Sequence, residues 1–148
     1  MFIMTAKFPG KKLLLLPPVL LLCLLALLLP SKKESGIPGG SNEDCLAYLR
    51  SLGWEVDEAC VENLDITLPE TLDGDFTSYN EMQKTQGFDL SPLAGKTLTR
   101  ITYRVKNHPM REDAQANLYI YDGNIVAGDI ICTGKNGFIS DLKFPQKQ

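Results

Sequence analysis

Apolar residues recur along this chain in three rhythms, and each predicts a different kind of element. From Leu13 to Pro30 they are continuous, and LLLLPPVLLLCLLALLLP contains no charge. From Ser41 the spacing turns helical, with Cys45, Tyr48, Leu49 and Leu52 at i, i+3, i+4 and i+7. Ser41 and Asp44 fit a capping-box start, and Gly53 followed by Trp54 fits a helix stop. A second helical stripe, Phe76, Tyr79, Met82 and Gln83, closes on Gly87-Phe88 in the same way.

The third rhythm has a period of two. Ala59 to Leu68 reads as a strand ended by Pro69. Thr99, Ile101, Tyr103 and Val105 alternate with Arg100, Thr102, Arg104 and Lys106, a half-buried strand with one wet face. Gln115–Tyr121 and Asn124–Cys132 flank Asp122-Gly123, a pair suited to a type I′ hairpin turn, and Phe138–Phe144 offers a last short strand. The order predicts an α+β domain: two helices packed on one face of a four- to five-stranded antiparallel sheet, preceded by an N-terminal transmembrane or signal-anchor helix.

The continuous run decides the expected organisation. Lys7, Lys11 and Lys12 precede it, and no A-x-A-like site follows it, which favours an uncleaved anchor over a cleaved secretory signal. Cys23 follows three leucines rather than a small residue, which disfavours a lipoprotein site. Residues 1–30 are therefore expected to anchor the chain in a membrane, 31–40 to form a flexible linker, and 41–148 to fold outside the cytoplasm. Secretion after cleavage is the alternative.

Charge and cysteines narrow the partners. Residues 31–148 hold twelve Lys and Arg against eighteen Asp and Glu, an acidic balance that excludes nucleic acid as a default partner. Cys45, Cys60 and Cys132 form no C-x-x-C pair, so zinc-knuckle and thioredoxin chemistry are not expected. One disulfide among the three remains open beside the simpler reading of small buried thiols.

The stretch SPLAGKTLTRITYR contains a phosphate-loop-like AGKT. A true loop would place glycine where Leu90 stands, would not carry Pro92, and would follow a strand and precede a helix. The order here is inverted, so Gly95 is expected to turn the chain into a strand. LRSLGWEV, QKTQGFDLSPLAGKTLTRITYRV and NLYIYDGNIVAGDI, in this order, resemble a bacterial family catalogued as domain of unknown function 4830, over roughly residues 42–142. The resemblance implies membrane-anchored or secreted proteins and carries over no catalytic residue, binding residue or cofactor.

Few residues suggest chemistry. His108, the sole histidine, lacks the partners of a triad or metal site and is expected in an exposed loop. Asp89 and Asp122 suit turn positions. Asp129 shares a period-two face with Ile125, Ala127 and Ile131 and, if buried, needs a partner, with Arg100 or Arg104 expected to pair with it. Arg100, Arg104 and Lys106 form a basic stripe, and Tyr119 and Tyr121 lie on the neighbouring strand. These six residues are the candidate binding surface for a protein, peptide or cell-wall ligand. A non-enzymatic binding module is the leading expectation. The alternatives are a small hydrolase using Asp129 with Arg100 or Arg104, and a structural subunit pairing by a sheet edge.

Overall fold

A computed structural model describes residues 36–146; the expected anchor over residues 13–30 lies outside the described residues. Among the described residues no helix is long and apolar enough to cross a membrane. The elements are β1 (Ile37–Pro38), α1 (Asn42–Ser51), β2 (Glu62–Thr67), α2 (Asp75–Lys84), a 3-10 turn (Ser91–Leu93), β3 (Thr97–Arg104), β4 (Ala114–Tyr121), β5 (Asn124–Cys132) and β6 (Phe138–Ser140). All strand pairings are antiparallel, in the order β1-β5-β4-β3-β2, with β6 also on β5. The described residues thus form an α+β fold, two helices with a six-stranded antiparallel sheet.

The predicted punctuation holds at atomic detail. Ser41 Oγ accepts from the Asp44 amide at 3.1 Å while Asp44 Oδ2 accepts from the Ser41 amide at 3.2 Å, which closes the capping box. Gly53 has φ +95°, and the Gly53 and Trp54 amides donate to Arg50 and Leu49 carbonyls. Gly87, with φ +89°, repeats the pattern, its amide and that of Phe88 donating to Lys84 and Gln83 carbonyls. Both following aromatics, Trp54 and Phe88, enter one core with Cys45, Leu49, Tyr103, Ala116, Leu118 and Ile130. Asp122 and Gly123 both have positive φ, as a type I′ turn requires.

Residues 37–38, expected in a flexible linker, instead pair with β5 at Ile125 and Asn124. The Gly39 amide adds a bond to the Gly123 carbonyl at 3.0 Å. Because Pro38 lacks a donor, only an edge position suits it, and β1 is such an edge. The β2 and β6 strands are shorter than Ala59–Leu68 and Phe138–Phe144. Cys45 and Cys132 are buried free thiols and Cys60 is an exposed one.

The helices do not share a face, which corrects the expected single-sided packing. Leu46 and Leu49 of α1 cover the face of Tyr103, Ala116 and Leu118. Tyr79 of α2 meets Tyr119 on the opposite face, where Leu98 and Ala127 also lie. The physical reason is that the face of the arginines is not uniformly wet. Leu98 sits two residues before Arg100 on it and is buried, so it demands cover.

A bulge in β5 completes the rearrangement. Tyr119 pairs with Ala127 but Ile120 pairs with Ile125, so Val126 is an extra residue. The shift sends Ile125 into the first core and leaves Ala127 in the second. Unbroken alternation would have put both on one face.

Candidate functional site

α2 begins with Asp75 and ends in the glycine stop described above, so its inner stripe has a defined direction across the sheet. Asn80 anchors the turn beyond it: its Oδ1 accepts from the Leu90 amide at 2.8 Å, and its Nδ2 donates to Asp89 Oδ1 and Ser91 Oγ at 3.0 Å. Asp89 in turn accepts from the Ser91 amide at 2.9 Å, the turn role expected of it. These bonds hold Asp89 well below the usual carboxylate range, at about 2. Leu90 is thereby pressed against the sheet beside Leu68 and Leu98.

Between α2 and the sheet this leaves an apolar cleft of about 330 Å³. Ile66 and Leu68 form one wall, Leu98 and Tyr119 the floor, Asp75, Phe76 and Tyr79 the helical wall, with Leu90 and Ile139 at the margins. Phe76 is 44% exposed and Ile139 54% exposed, so both rims present hydrocarbon to solvent. Nearby Leu64, on the same side of β2 as Ile66, is 45% exposed.

Below the floor lies a buried polar knot. Asp129, 2% exposed, accepts from the Tyr79 hydroxyl at 2.6 Å, the Asn117 amide at 2.8 Å and the Tyr119 hydroxyl at 3.2 Å. Asn117 Oδ1 accepts from the Thr102 hydroxyl at 2.7 Å, which ties β3, β4, β5 and α2 together. Burial pushes the Asp129 carboxyl above its ordinary value, against the opposing pull of its three donors. Burial and the same carboxylate push Tyr79 strongly up and Tyr119 up to about 12. The tyrosine rings meet edge to face at 6.2 Å and 73°, presenting their apolar bodies to the cleft and their hydroxyls to Asp129.

The expected Asp129–arginine pair is not formed. Arg100 makes its ion pair with Glu62, diagonally across the β2–β3 ladder, and its Nε is buried without a hydrogen-bond partner. Lys106 Nζ pairs with Asp57 Oδ1 at 3.1 Å. Arg104 is exposed and borders a polar hollow with Asp57, Lys106, His108, Arg111 and Glu112. The fold therefore gives a buried carboxylate neutral donors, while Arg100 finds its acid, Glu62, across the β2–β3 ladder. Of the six candidate residues, the structure brings Tyr119 and Asp129 together. It sets Arg100 opposite Tyr119 on the sheet but paired with Glu62, places Arg104 and Lys106 around one polar hollow, and leaves Tyr121 half-buried in the second core.

Two residues of the knot escaped sequence reasoning. Tyr79 was visible in the helical stripe but its target was not. Asn117 carried a usable signal, a polar side chain in the middle of the strand segment ANLYIY. His108 is also corrected: it is half-buried, its ring stacked on Trp54 at 5.9 Å and 14°. Among the described residues, no group of three or more His, Cys, Asp or Glu is placed to hold a metal ion.

The family described as Domain of unknown function (DUF4830) matches the chain over residues 48–130. The chain belongs to the DUF4830 family. The match runs from within α1 to within β5, so it takes in α2, the Asp89–Ser91 turn and all five members of the knot, Tyr79, Thr102, Asn117, Tyr119 and Asp129, in this DUF4830 domain. No curated protein and no solved structure matches the chain.

Proposed function

We propose that this DUF4830 domain is a membrane-tethered binding module outside the cytoplasm, and that its ligand site is the cleft between α2 and the sheet. The cleft itself carries this reading: a concave apolar surface, rimmed by exposed Phe76 and Ile139 and floored by oriented tyrosines. Exposed hydrocarbon gathered around one hollow is what a binding surface requires. Asp129 supports a non-enzymatic role, because Tyr79, Asn117 and Tyr119 occupy both its oxygens, Arg100 pairs with Glu62 and Arg104 is exposed. The charge-free run from Leu13 to Pro30 behind three lysines supports the tether. Sheet-edge pairing is the second reading, favoured by β2, which among the described residues pairs with β3 alone and exposes five of its six residues.

Two measurements test the proposal. Cys60 is exposed while Cys45 and Cys132 are buried, so a membrane-impermeant maleimide applied to intact cells should label Cys60. Labelling only after lysis would place the domain inside. Hydrogen exchange on the full chain in lipid nanodiscs, with and without a panel of peptides and cell-wall fragments, locates the site. Protection should appear over residues 75–79 and 97–99 and disappear in Ile139→Glu. Protection confined to β2 would favour edge pairing instead.

A further inference from the structure

The charge around the cleft goes further than its apolar walls. Between Arg50 and Lys84 the chain holds no Lys or Arg but nine Asp and Glu. This stretch contains β2 and nearly all of α2, the two elements that form opposite walls of the cleft. Several of those acids are already engaged. Asp57 pairs with Lys106, Glu62 with Arg100 and Glu81 with Lys84, and Asp65 accepts from the Thr99 hydroxyl at 2.8 Å. Glu70, Asp73 and Asp75 differ. Glu70 and Asp73 lie on the connection from β2 to α2 and Asp75 opens α2, and among the described residues none of the three forms an ion pair with Lys or Arg. Asp75 lines the cleft itself, next to exposed Phe76.

Apolar walls beside unneutralised carboxylates select a ligand with hydrocarbon and positive charge side by side. The cleft volume of about 330 Å³ stands at the lower end of ligand sites, roughly 300–1,000 Å³, so it takes one or two side chains rather than a large ligand. We propose that the occupant is a cationic segment of a partner polypeptide. An aliphatic or aromatic side chain enters between Phe76, Tyr79, Leu98 and Ile139, and flanking Lys or Arg face Glu70, Asp73 and Asp75. Charge complementarity distinguishes this occupant from others. An anionic headgroup is repelled by the same carboxylates, and an uncharged acyl chain makes no use of them. The proposal rests on the cleft being the ligand site.

The test uses the full chain in nanodiscs of zwitterionic lipid and fluorescence anisotropy of labelled ten-residue peptides. The first peptide has a central Phe flanked by Lys in a Gly/Ser background. In the others Ala replaces the Phe, or Gln or Glu replaces the Lys. The cationic Phe peptide should bind at least about tenfold tighter than the Gln and Glu versions, and weaken several-fold between low and physiological salt. Loss of the Phe should cost about tenfold or more, as expected of a buried anchor. Ile139→Ser, which removes apolar wall without adding charge, should weaken binding about tenfold, and Asp73→Asn/Asp75→Asn should remove most of the salt dependence. All three positions are exposed, so the thermal transitions should stay close to the parent's.

Equal binding of the Gln and Lys peptides, still weakened in Ile139→Ser, would overturn the cationic assignment and leave the cleft as a site. Salt dependence unchanged in Asp73→Asn/Asp75→Asn would overturn it as well. Binding unaffected by Ile139→Ser, or no binding of any peptide, would overturn both the assignment and the cleft reading on which it rests.

Discussion

Gln83 bonds Gly128 through both ends of its amide: Nε2 donates to the Gly128 carbonyl at 2.9 Å, and Oε1 accepts from the Gly128 amide at 3.0 Å. The side chain stands where a partner strand would, on the side of β5 left open between β1 and β6. It is fully buried, so this pairing secures α2, and with it one wall of the cleft, to the sheet.

Truncating that side chain leaves the buried Gly128 N–H without its acceptor, while the Gly128 carbonyl keeps a second donor, Gln86 Nε2 at 3.1 Å. Gln83→Ala is expected to lower unfolding free energy by about 2–4 kcal/mol, from the unsatisfied amide and the space left behind. Gly128→Ala acts from the other side, because an added Cβ would overlap the Leu142 side chain. Its cost should be about 1–3 kcal/mol and should fall when Leu142 is shortened to Ala in the same chain. Urea unfolding followed by the fluorescence of Trp54, the sole tryptophan, measures both. Additive losses in the Gly128/Leu142 pair would rule out the overlap as the cause.

How far the sequence reveals such a structure depends on the range of the interaction. Capping at Ser41, the glycine stops at Gly53 and Gly87 and the Asp122-Gly123 turn are local. Each was readable because the residues that decide it lie within a few positions of one another. The strands of the meander were readable because alternation is also local. What could not be read was which face each helix covers, since that depends on Leu98 needing cover and on Val126 breaking the phase of β5. The site shared this fate. Asp129 was recognisable as a carboxylate in need of partners, but Tyr79, fifty positions away, and Asn117, twelve away, reach it only through the fold. Arg100 and Arg104 looked like partners because a buried carboxylate calls for a basic residue. The pairing of β2 on β3 instead gave Arg100 its partner in Glu62.

Asp129 should give the stability curve an unusual slope. Burial raises its folded-state pKa above the unfolded value of about 3.9, so the folded state holds its proton more tightly. The stability it contributes is fully present below that unfolded value and is lost as pH rises through the folded pKa. Asp129→Asn, which cannot ionise, should remove this decline. Asn117 can reverse its amide to accept from the new side chain and donate to Thr102, so the variant should still fold. Melting temperatures of both proteins across the acidic range provide the check. A parent-minus-variant difference that does not change with pH would mean that Asp129 does not titrate between the two states.

Asp89 and Asp113 carry the opposite sign. The Ser91 amide and hydroxyl depress Asp89 to about 2, and Arg111 with the Gly134 amide depresses Asp113 to about 2. Each contributes stability that is present above the unfolded value of about 3.9 and lost as pH falls toward about 2. Asp89→Asn and Asp113→Asn should each flatten the acid limb of the melting-temperature curve in that window. Asp89→Asn should also loosen the Leu90 turn beside the cleft, seen as faster hydrogen exchange at Leu90 and Ser91. An acid limb as steep as the parent's in both variants would assign acid unfolding to other carboxylates.

The stack of His108 on Trp54 offers an optical readout of the far side of the domain. Trp54 Nε1 donates to the Leu142 carbonyl at 2.7 Å and its ring is held against Phe144, so the indole is fixed while His108 lies over it. Burial, followed by the nearby Arg111 charge, pulls the His108 pKa below its ordinary value of 6.5. The neutral ring is therefore the form the fold favours. Its contribution to stability is present above pH 6.5 and lost as pH falls through the lowered folded value. Protonation puts an imidazolium against the only indole in the chain, so Trp54 emission should change in a single step with its midpoint below 6.5. His108→Ala should abolish that step while leaving the cleft on the opposite face intact. Arg111→Gln should move the midpoint upward by removing a repelling charge. A midpoint at or above 6.5, or a step that persists in His108→Ala, would break the link between this stack and the pH response.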